Sequence, residues 1–212
     1  MSAIDALIVG GGPAGAATAL LLSRLGLKVM LVDRSDKGRA PVGETLPPAI
    51  KPLLAELGLL ERVGSSGYLP AVGVDAAWGE ERLRSHSFLT NPHGDGWHVD
   101  RPHFDAVLLE MAESSGVLVQ RKCTVRSLTS VGNGWRVSLV LGRRVEHVYP
   151  KWTIDATGRS ASLGRLLGAR RARLDDLVAV VGVTSARTPA LATTVVESVP
   201  GGWWYASPRR EG

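Results

Sequence analysis

Ala6-Leu7-Ile8-Val9 is a continuous apolar run that leads directly into Gly10-Gly11-Gly12-Pro13-Ala14-Gly15. No other junction restricts the fold of this chain as much. Four apolar residues with β-branched content suit a strand covered on both faces, as in a parallel sheet. Ala14 to Leu25 then reads as a helix, with Ala16, Ala17 and Ala19 on its early turns and Gly26 as its stop. Lys28 to Val32 is a second apolar strand, ending at Asp33. The predicted unit is strand, glycine turn, helix, strand and acid, which is the full setting of a dinucleotide fingerprint. Gly10 permits the tight turn, Gly12 leaves room for a pyrophosphate against the backbone, and Gly15 lets helix and strand pack closely. The helix opening at Pro13 and Ala14 offers free N–H groups and a partial positive charge to phosphates. Asp33 stands 18 residues after Gly15, near the spacing of about 20 at which a carboxylate accepts hydrogen bonds from the adenosine ribose. A glycine-rich turn in a cofactor-free α/β domain is the plain alternative. The fingerprint alone does not separate FAD from NAD.

Composition narrows the class. The chain has 212 residues, 44% of them hydrophobic and 21% charged, which suits one globular domain or one and a fraction. Disorder needs fewer apolar residues and a larger net charge. Cys123 is the single cysteine, so an internal disulfide and a multi-thiolate metal site are both excluded. His86, His93, His98, His103 and His147 lack metal spacing, and no metal is expected. The net charge of +5 comes with no nucleic-acid motif, and the cluster of Arg165, Arg170, Arg171 and Arg173 reads as solvated surface. The apolar stretch from Ala3 to Leu22 carries Asp5 and the glycine turn inside it, with no basic segment ahead. A cytoplasmic chain without stable membrane insertion is expected.

Three further signals carry chemistry. Gly43-Glu44-Thr45-Leu46-Pro47-Pro48 precedes a helical segment, Ala49 to Leu57, and Thr45 is placed to cap it. Asp100-Arg101-Pro102-His103-Phe104-Asp105 opens another helix, whose stripe is Phe104, Val107, Leu108, Met111 and Ala112. A cation at a helix start has no dipole reason to be there, so Arg101 calls for a phosphate or a carboxylate. Thr153-Ile154-Asp155-Ala156-Thr157-Gly158-Arg159 reads as a strand ending in a tight turn. Ligands of open α/β sheets sit beyond such strand ends, while an Asx turn with Gly158 supplying the unusual dihedral is the plain alternative.

Together these motifs resemble the flavoproteins of the glutathione-reductase-2 class, which includes single-component flavin monooxygenases, geranylgeranyl reductases and flavin-dependent halogenases. The likeness rests on Gly10-x-Gly12-Pro13-Ala14-Gly15, Asp33-Arg34, Gly43-Glu44-Thr45, Arg101-x-x-Phe104-Asp105 and Asp155-Ala156-Thr157-Gly158, in order along nearly the whole chain. It implies FAD as cofactor, with Asp33 at the ribose, Arg101 near the phosphates, the backbone of Val125 at the adenine and the Gly43-Glu44 loop near the flavin. Asp33 replaces the commoner Glu and is one methylene shorter. The Gly-Glu-Thr-Leu-Pro-Pro form most resembles halogenase-like oxidoreductases and flavoproteins that mature peptide-derived quinone cofactors.

The expected architecture is α/β: a discontinuous Rossmann-like FAD-binding domain with a parallel sheet (1–68 and 97–167), and a partial, mixed or antiparallel β substrate domain (69–96 and 168–212). The expected activity is a monooxygenase-type oxidation of an aromatic or apolar small molecule or of a peptide-borne residue. Electrons would come from NAD(P)H or a flavin reductase, since no second G-x-G-x-x-G encodes a nicotinamide domain. Halogenation ranks lower. Halogenases resemble one another in a Lys after the Gly-Glu loop, whereas this chain has none between Lys51 and Lys122. Of their W-x-W-x-I-P motif, Trp203-Trp204-Tyr205-Ala206-Ser207-Pro208 keeps the first Trp and the Pro. Trp203, Trp204 and Tyr205 read either as substrate-pocket walls or as sheet core. Cys123 reads as a buried inert thiol. No Gly-Asp-Ala-like third flavin turn occurs, so the chain is expected to be C-terminally incomplete or to need a partner. A non-catalytic nucleotide-binding fragment is the alternative of another class.

Overall fold

The computed structural model describes residues 4–35, 43–172, 174–184 and 192–209. Arg173 of the arginine cluster lies outside them. In chain order the elements are β1 (Ala6–Val9), α1 (Pro13–Arg24), β2 (Val29–Val32), β3 (Gly43–Leu46), α2 (Ile50–Glu56), α3 (Leu60–Gly64), β4 (Leu69–Ala71), β5 (Gly73–Ala77), β6 (Arg84–Ser87) and β7 (Gly96–Asp100). They continue with α4 (Arg101–Ser114), β8 (Leu118–Gln120), β9 (Cys123–Val131), β10 (Gly134–Leu141), β11 (Arg144–Val148), β12 (Trp152–Asp155), α5 (Ser162–Leu166), β13 (Thr193–Val199) and β14 (Gly202–Ala206). They form two compact units: residues 1–38 with 105–178, and residues 39–104 with 179–212.

The first unit is built on a parallel sheet in the order β12-β1-β2-β8. All four residues of β1 and of β2 are buried, which is why these strands are apolar throughout rather than alternating. Leu7, Val9, Met30 and Val32 share one core with Cys123, Val137, Leu139 and Val148 of the antiparallel sheet β11-β10-β9. On α1, Gly15, Ala16, Ala19 and Leu20 are buried, and the small size of the first three lets the helix lie close on β1 and β2. The hairpin at Gly132-Asn133 joins β9 to β10, with Gly132 at φ +57.

The second unit holds an antiparallel sheet in the order β3-β7-β4 and a four-stranded sheet in the order β14-β13-β5-β6. In the latter, β13 runs parallel to β5 and the outer pairings are antiparallel. Thr45 corrects one expectation. It lies inside β3, opposite His98, and α2 begins after Ala49 with no side-chain cap.

Candidate functional site

The glycine turn is held by the protein's own backbone. Gly10 has φ +114, a conformation side chains rarely adopt. A Cβ there would stand 2.3 Å from the Ala156 carbonyl oxygen, and one on Gly15 would stand 1.9 Å from the Gly10 carbonyl oxygen. The turn therefore packs against the Ala156 end of β12 with no room for side chains. Gly12 differs: as N-cap of α1 it has φ −76 and ψ −179, extended backbone open to any residue. Pro13 occupies the first turn, which carries no acidic residue and no side-chain cap. Ala16 N–H reaches the Gly12 carbonyl at 2.9 Å, while the amides of Ala14 and Gly15 belong to the helix positions that lack an intrahelical acceptor.

Asp33 closes the arrangement from β2. Its Oδ2 accepts the Gly11 N–H, and its Oδ1 accepts the Ser35 N–H at 2.7 Å and the Ser35 hydroxyl. Its backbone is clamped between Gln120 and Cys123, each at 2.9 Å. Arg34, the next residue, is exposed. A carboxylate fixed at the edge of a glycine turn, above a helix start free of acids, is a donor and acceptor set that fits a dinucleotide's diphosphate and ribose. Val125 lies on β9 opposite Leu139, packed against the shared core.

Asp155 ends β12 as a cap. Its Oδ1 accepts the Thr157 N–H at 3.0 Å and the Thr157 hydroxyl at 2.5 Å, while Oδ2 accepts the amides of Leu163 at 2.9 Å and Gly164 at 3.0 Å. Partial burial pushes this carboxyl up, but the Thr157 hydroxyl and the Gly164, Thr157 and Leu163 amides outweigh it and hold the group below the usual value of 3.8. Gly158, at φ +62, completes the turn. The Asx reading is what the carboxylate does. Asp155→Ala is expected to cost about 1 kcal/mol, as for loss of a helix cap. Because the folded group titrates lower than the unfolded one, the wild-type advantage is full above about pH 4 and fades as pH falls through the folded value. Thermal melts of both proteins at pH 7 and pH 3 should show the gap closing at the lower pH.

In the second unit, Arg101 Nη1 donates to Glu44 Oε2 at 2.6 Å. The helix-start cation thus has a carboxylate partner, supplied by β3. Gly43, at the start of β3, pairs with Asp100. His98 is 4% exposed and was missed as a hub. Its Nδ1 lies 3.0 Å from both Thr45 Oγ1 and Ser207 Oγ, and its Nε2 lies 3.3 Å from the Ala192 carbonyl oxygen. Burial lowers its pKa, against the opposing pull of that carbonyl. The only sign of this in the sequence is His98's place in a short strand with buried neighbours. Trp203, Trp204 and Tyr205 lie on the edge strand β14, exposed to 53%, 67% and 43%. Of the two readings offered for them, sheet core does not hold within the described residues. Cys123 is buried and its thiol is pushed up to about 11, first by burial and then by Glu146. Among the described residues no helix is long and apolar enough to cross a membrane.

The parallel sheet, its glycine turn and the acid beside it define a dinucleotide-binding α/β protein. The FAD binding domain family matches residues 3–210, and the chain belongs to that family. Its cofactor is FAD. The chain is 33% identical over 211 residues to LodB of Marinomonas mediterranea, named as an FAD-dependent oxidoreductase, covering 97% of this chain and 57% of LodB. It is also 33% identical over 189 residues to the 1H-pyrrole-2-carbonyl-[peptidyl-carrier protein] chlorinase of Pseudomonas fluorescens, covering 78% of this chain and 42% of that protein. Among solved structures, the flavin-dependent halogenase CmlS superposes with a TM-score of 0.80 at 27% identity, over 98% of this chain and 40% of that one. The chain thus spans about half the length of the curated relatives it matches.

Proposed function

We propose that this chain is the FAD-holding part of an oxidoreductase that carries out a monooxygenase-type oxidation of an aromatic or apolar small molecule or a peptide-borne residue. The observation that carries the reading is the glycine turn at Gly10–Gly15, closely packed at Gly10 and Gly15, with the Asp33 carboxylate fixed beside it. In this reading Gly10, Gly12, Pro13, Ala14 and Gly15 seat the diphosphate, Asp33 and Arg34 serve the ribose, and the Val125 backbone meets the adenine. Gly43, Glu44, Arg101 and the backbone of the Asp155–Gly158 turn complete the cofactor contacts. FAD supplies the electron and oxygen chemistry, and the protein binds, orients and keeps out water. Residues 1–68 and 97–167 would form the cofactor domain, and 69–96 with 168–212 the substrate side, where Trp203, Trp204 and Tyr205 stand. NAD(P)H or a flavin reductase would supply electrons.

Halogenation is the second reading, favoured by the likeness to the Pseudomonas fluorescens chlorinase and to CmlS. Against it, the segment Tyr68–Val74 carries no Lys. Lys51, on α2, is already engaged: its Nζ donates to the His93 carbonyl at 2.9 Å and lies 5.0 Å from the Trp97 ring centroid. The two readings separate in one assay. Flavin-loaded protein is supplied with NADH and a flavin reductase under ¹⁸O₂, with and without chloride and bromide, on a panel of phenols and indoles. Label in the product without halide dependence supports the first reading. Halogenated product supports the second, and neither product on any acceptor counts against both.

A further inference from the structure

The Asp33 carboxylate, at the end of β2, has most of its acceptor capacity already in use. A carboxylate offers about four acceptor positions, two on each oxygen. Ser35 fills both positions on Oδ1, with its N–H at 2.7 Å and its hydroxyl alongside. The Gly11 N–H takes one position on Oδ2. Arg121, whose charge interacts with Asp33, directs its hydrogen bonds to Glu113 instead, at 2.7 and 3.2 Å. Among the described residues one acceptor position therefore remains on Asp33, and it is on Oδ2.

The turn fixes where that position lies. A Cβ on Gly11 would stand 2.9 Å from Oδ2 and 3.2 Å from the Asp33 Cβ and Cγ. The acid thus packs directly on the turn backbone, at a residue without a side chain. Its own N–H and carbonyl are bonded to Gln120 and Cys123, so the backbone below the carboxylate is held as well.

Ser35 has the opposite surplus. Its proton goes to a carboxylate oxygen, which can only accept, and its own oxygen keeps two acceptor positions. The residue is exposed. Two acceptors therefore flank Oδ1: Oδ2 on the same carboxylate, and the Ser35 Oγ hydrogen-bonded to it. A vicinal diol carries O–H donors on adjacent carbons and can use both acceptors. A lone hydroxyl can use only one.

We propose that Ser35 is a ligand of the adenosine ribose, its Oγ accepting one hydroxyl of the diol while Asp33 Oδ2 accepts the other. The inference rests on the FAD reading and divides its ribose contact between two residues. If Ser35 were only part of a local turn after β2, it would hold Asp33 in place and have no preference between ribose hydroxyls.

The test titrates ADP, 2′-deoxy-ADP and 3′-deoxy-ADP into the flavin-free folded protein and reads the heats. Hydrogen bonds to charged groups are stronger than those between neutral ones. The hydroxyl on Asp33 should therefore be worth about tenfold in affinity and the hydroxyl on Ser35 about threefold. Both deoxy nucleotides should bind more weakly than ADP, one of them by the larger factor. Ser35→Cys keeps a group against Oδ1 but presents sulfur, a weak acceptor. It should erase the smaller factor and leave the larger, whereas Ser35→Thr should keep both. Wild-type protein that binds the three nucleotides equally overturns the inference. So does a Ser35→Cys protein that weakens all three together with both ratios intact, which is the outcome of a purely structural role. In either case binding of ADP leaves the FAD reading standing. Folded wild type that binds neither ADP nor FAD removes both.

Discussion

Gly15→Val is expected to yield protein that neither melts cooperatively at the wild-type temperature nor takes up flavin. The Cβ alone would stand 1.9 Å from the Gly10 carbonyl oxygen and 3.2 Å from the Ala156 Cβ. The first of these is backbone, so no rotamer relieves it, and the branched side chain adds two methyl groups to the same gap. The helix must then lift from β1, exposing Ala16, Ala19 and Leu20, now at most 1% exposed. Overpacking of this kind costs more than about 3 kcal/mol where the neighbours cannot move. Circular dichroism melts and flavin absorbance check both halves of the expectation. A variant with wild-type stability would show that the turn is looser than described.

Gly12→Val separates folding from binding. The dihedrals at Gly12 suit any residue, and valine keeps the carbonyl that accepts the Ala16 N–H. The fold therefore gives no conformational reason for glycine at this position. The diphosphate reading does give one, because only a bare backbone lets phosphate oxygens reach the helix amides. The variant should melt within a few degrees of wild type yet bind FAD at least about 100-fold more weakly, roughly 3 kcal/mol. Unchanged flavin affinity would remove Gly12 from the site. Loss of fold would mean that glycine is needed there for structure.

What the sequence makes legible is what neighbours in sequence decide. β1, the turn, α1 and β2 follow from a run of residues in which each local preference agrees with the next. The Asx turn at Asp155 was legible as one of two readings, and the choice rested on the amides of Leu163 and Gly164, eight and nine residues on. Arg101 was rightly seen to need an anion, but its partner, Glu44, is 57 residues away. Thr45 was misread as a helix cap because its local setting favours one; pairing with His98, 53 residues distant, overrode it. His98 shows no metal spacing, and its sequence setting beside Arg101 reads either as a structural histidine or as one near the flavin. Its role as a hub depends on Thr45 and Ser207, a convergence that no single window of sequence contains. Trp203-Trp204-Tyr205 carries bulk without direction until β13 assigns the faces.

We propose that the Gly10–Gly15 turn seats the diphosphate of FAD. Calorimetric titration of FAD into the folded protein, with adenosine and riboflavin titrated separately, tests it directly. The expected result is a saturable heat at one FAD per chain, much weaker binding of either half lacking the diphosphate, and loss of the FAD heat in Gly12→Val. Folded protein that gives no heat with FAD, or that binds riboflavin as tightly as FAD, would contradict it.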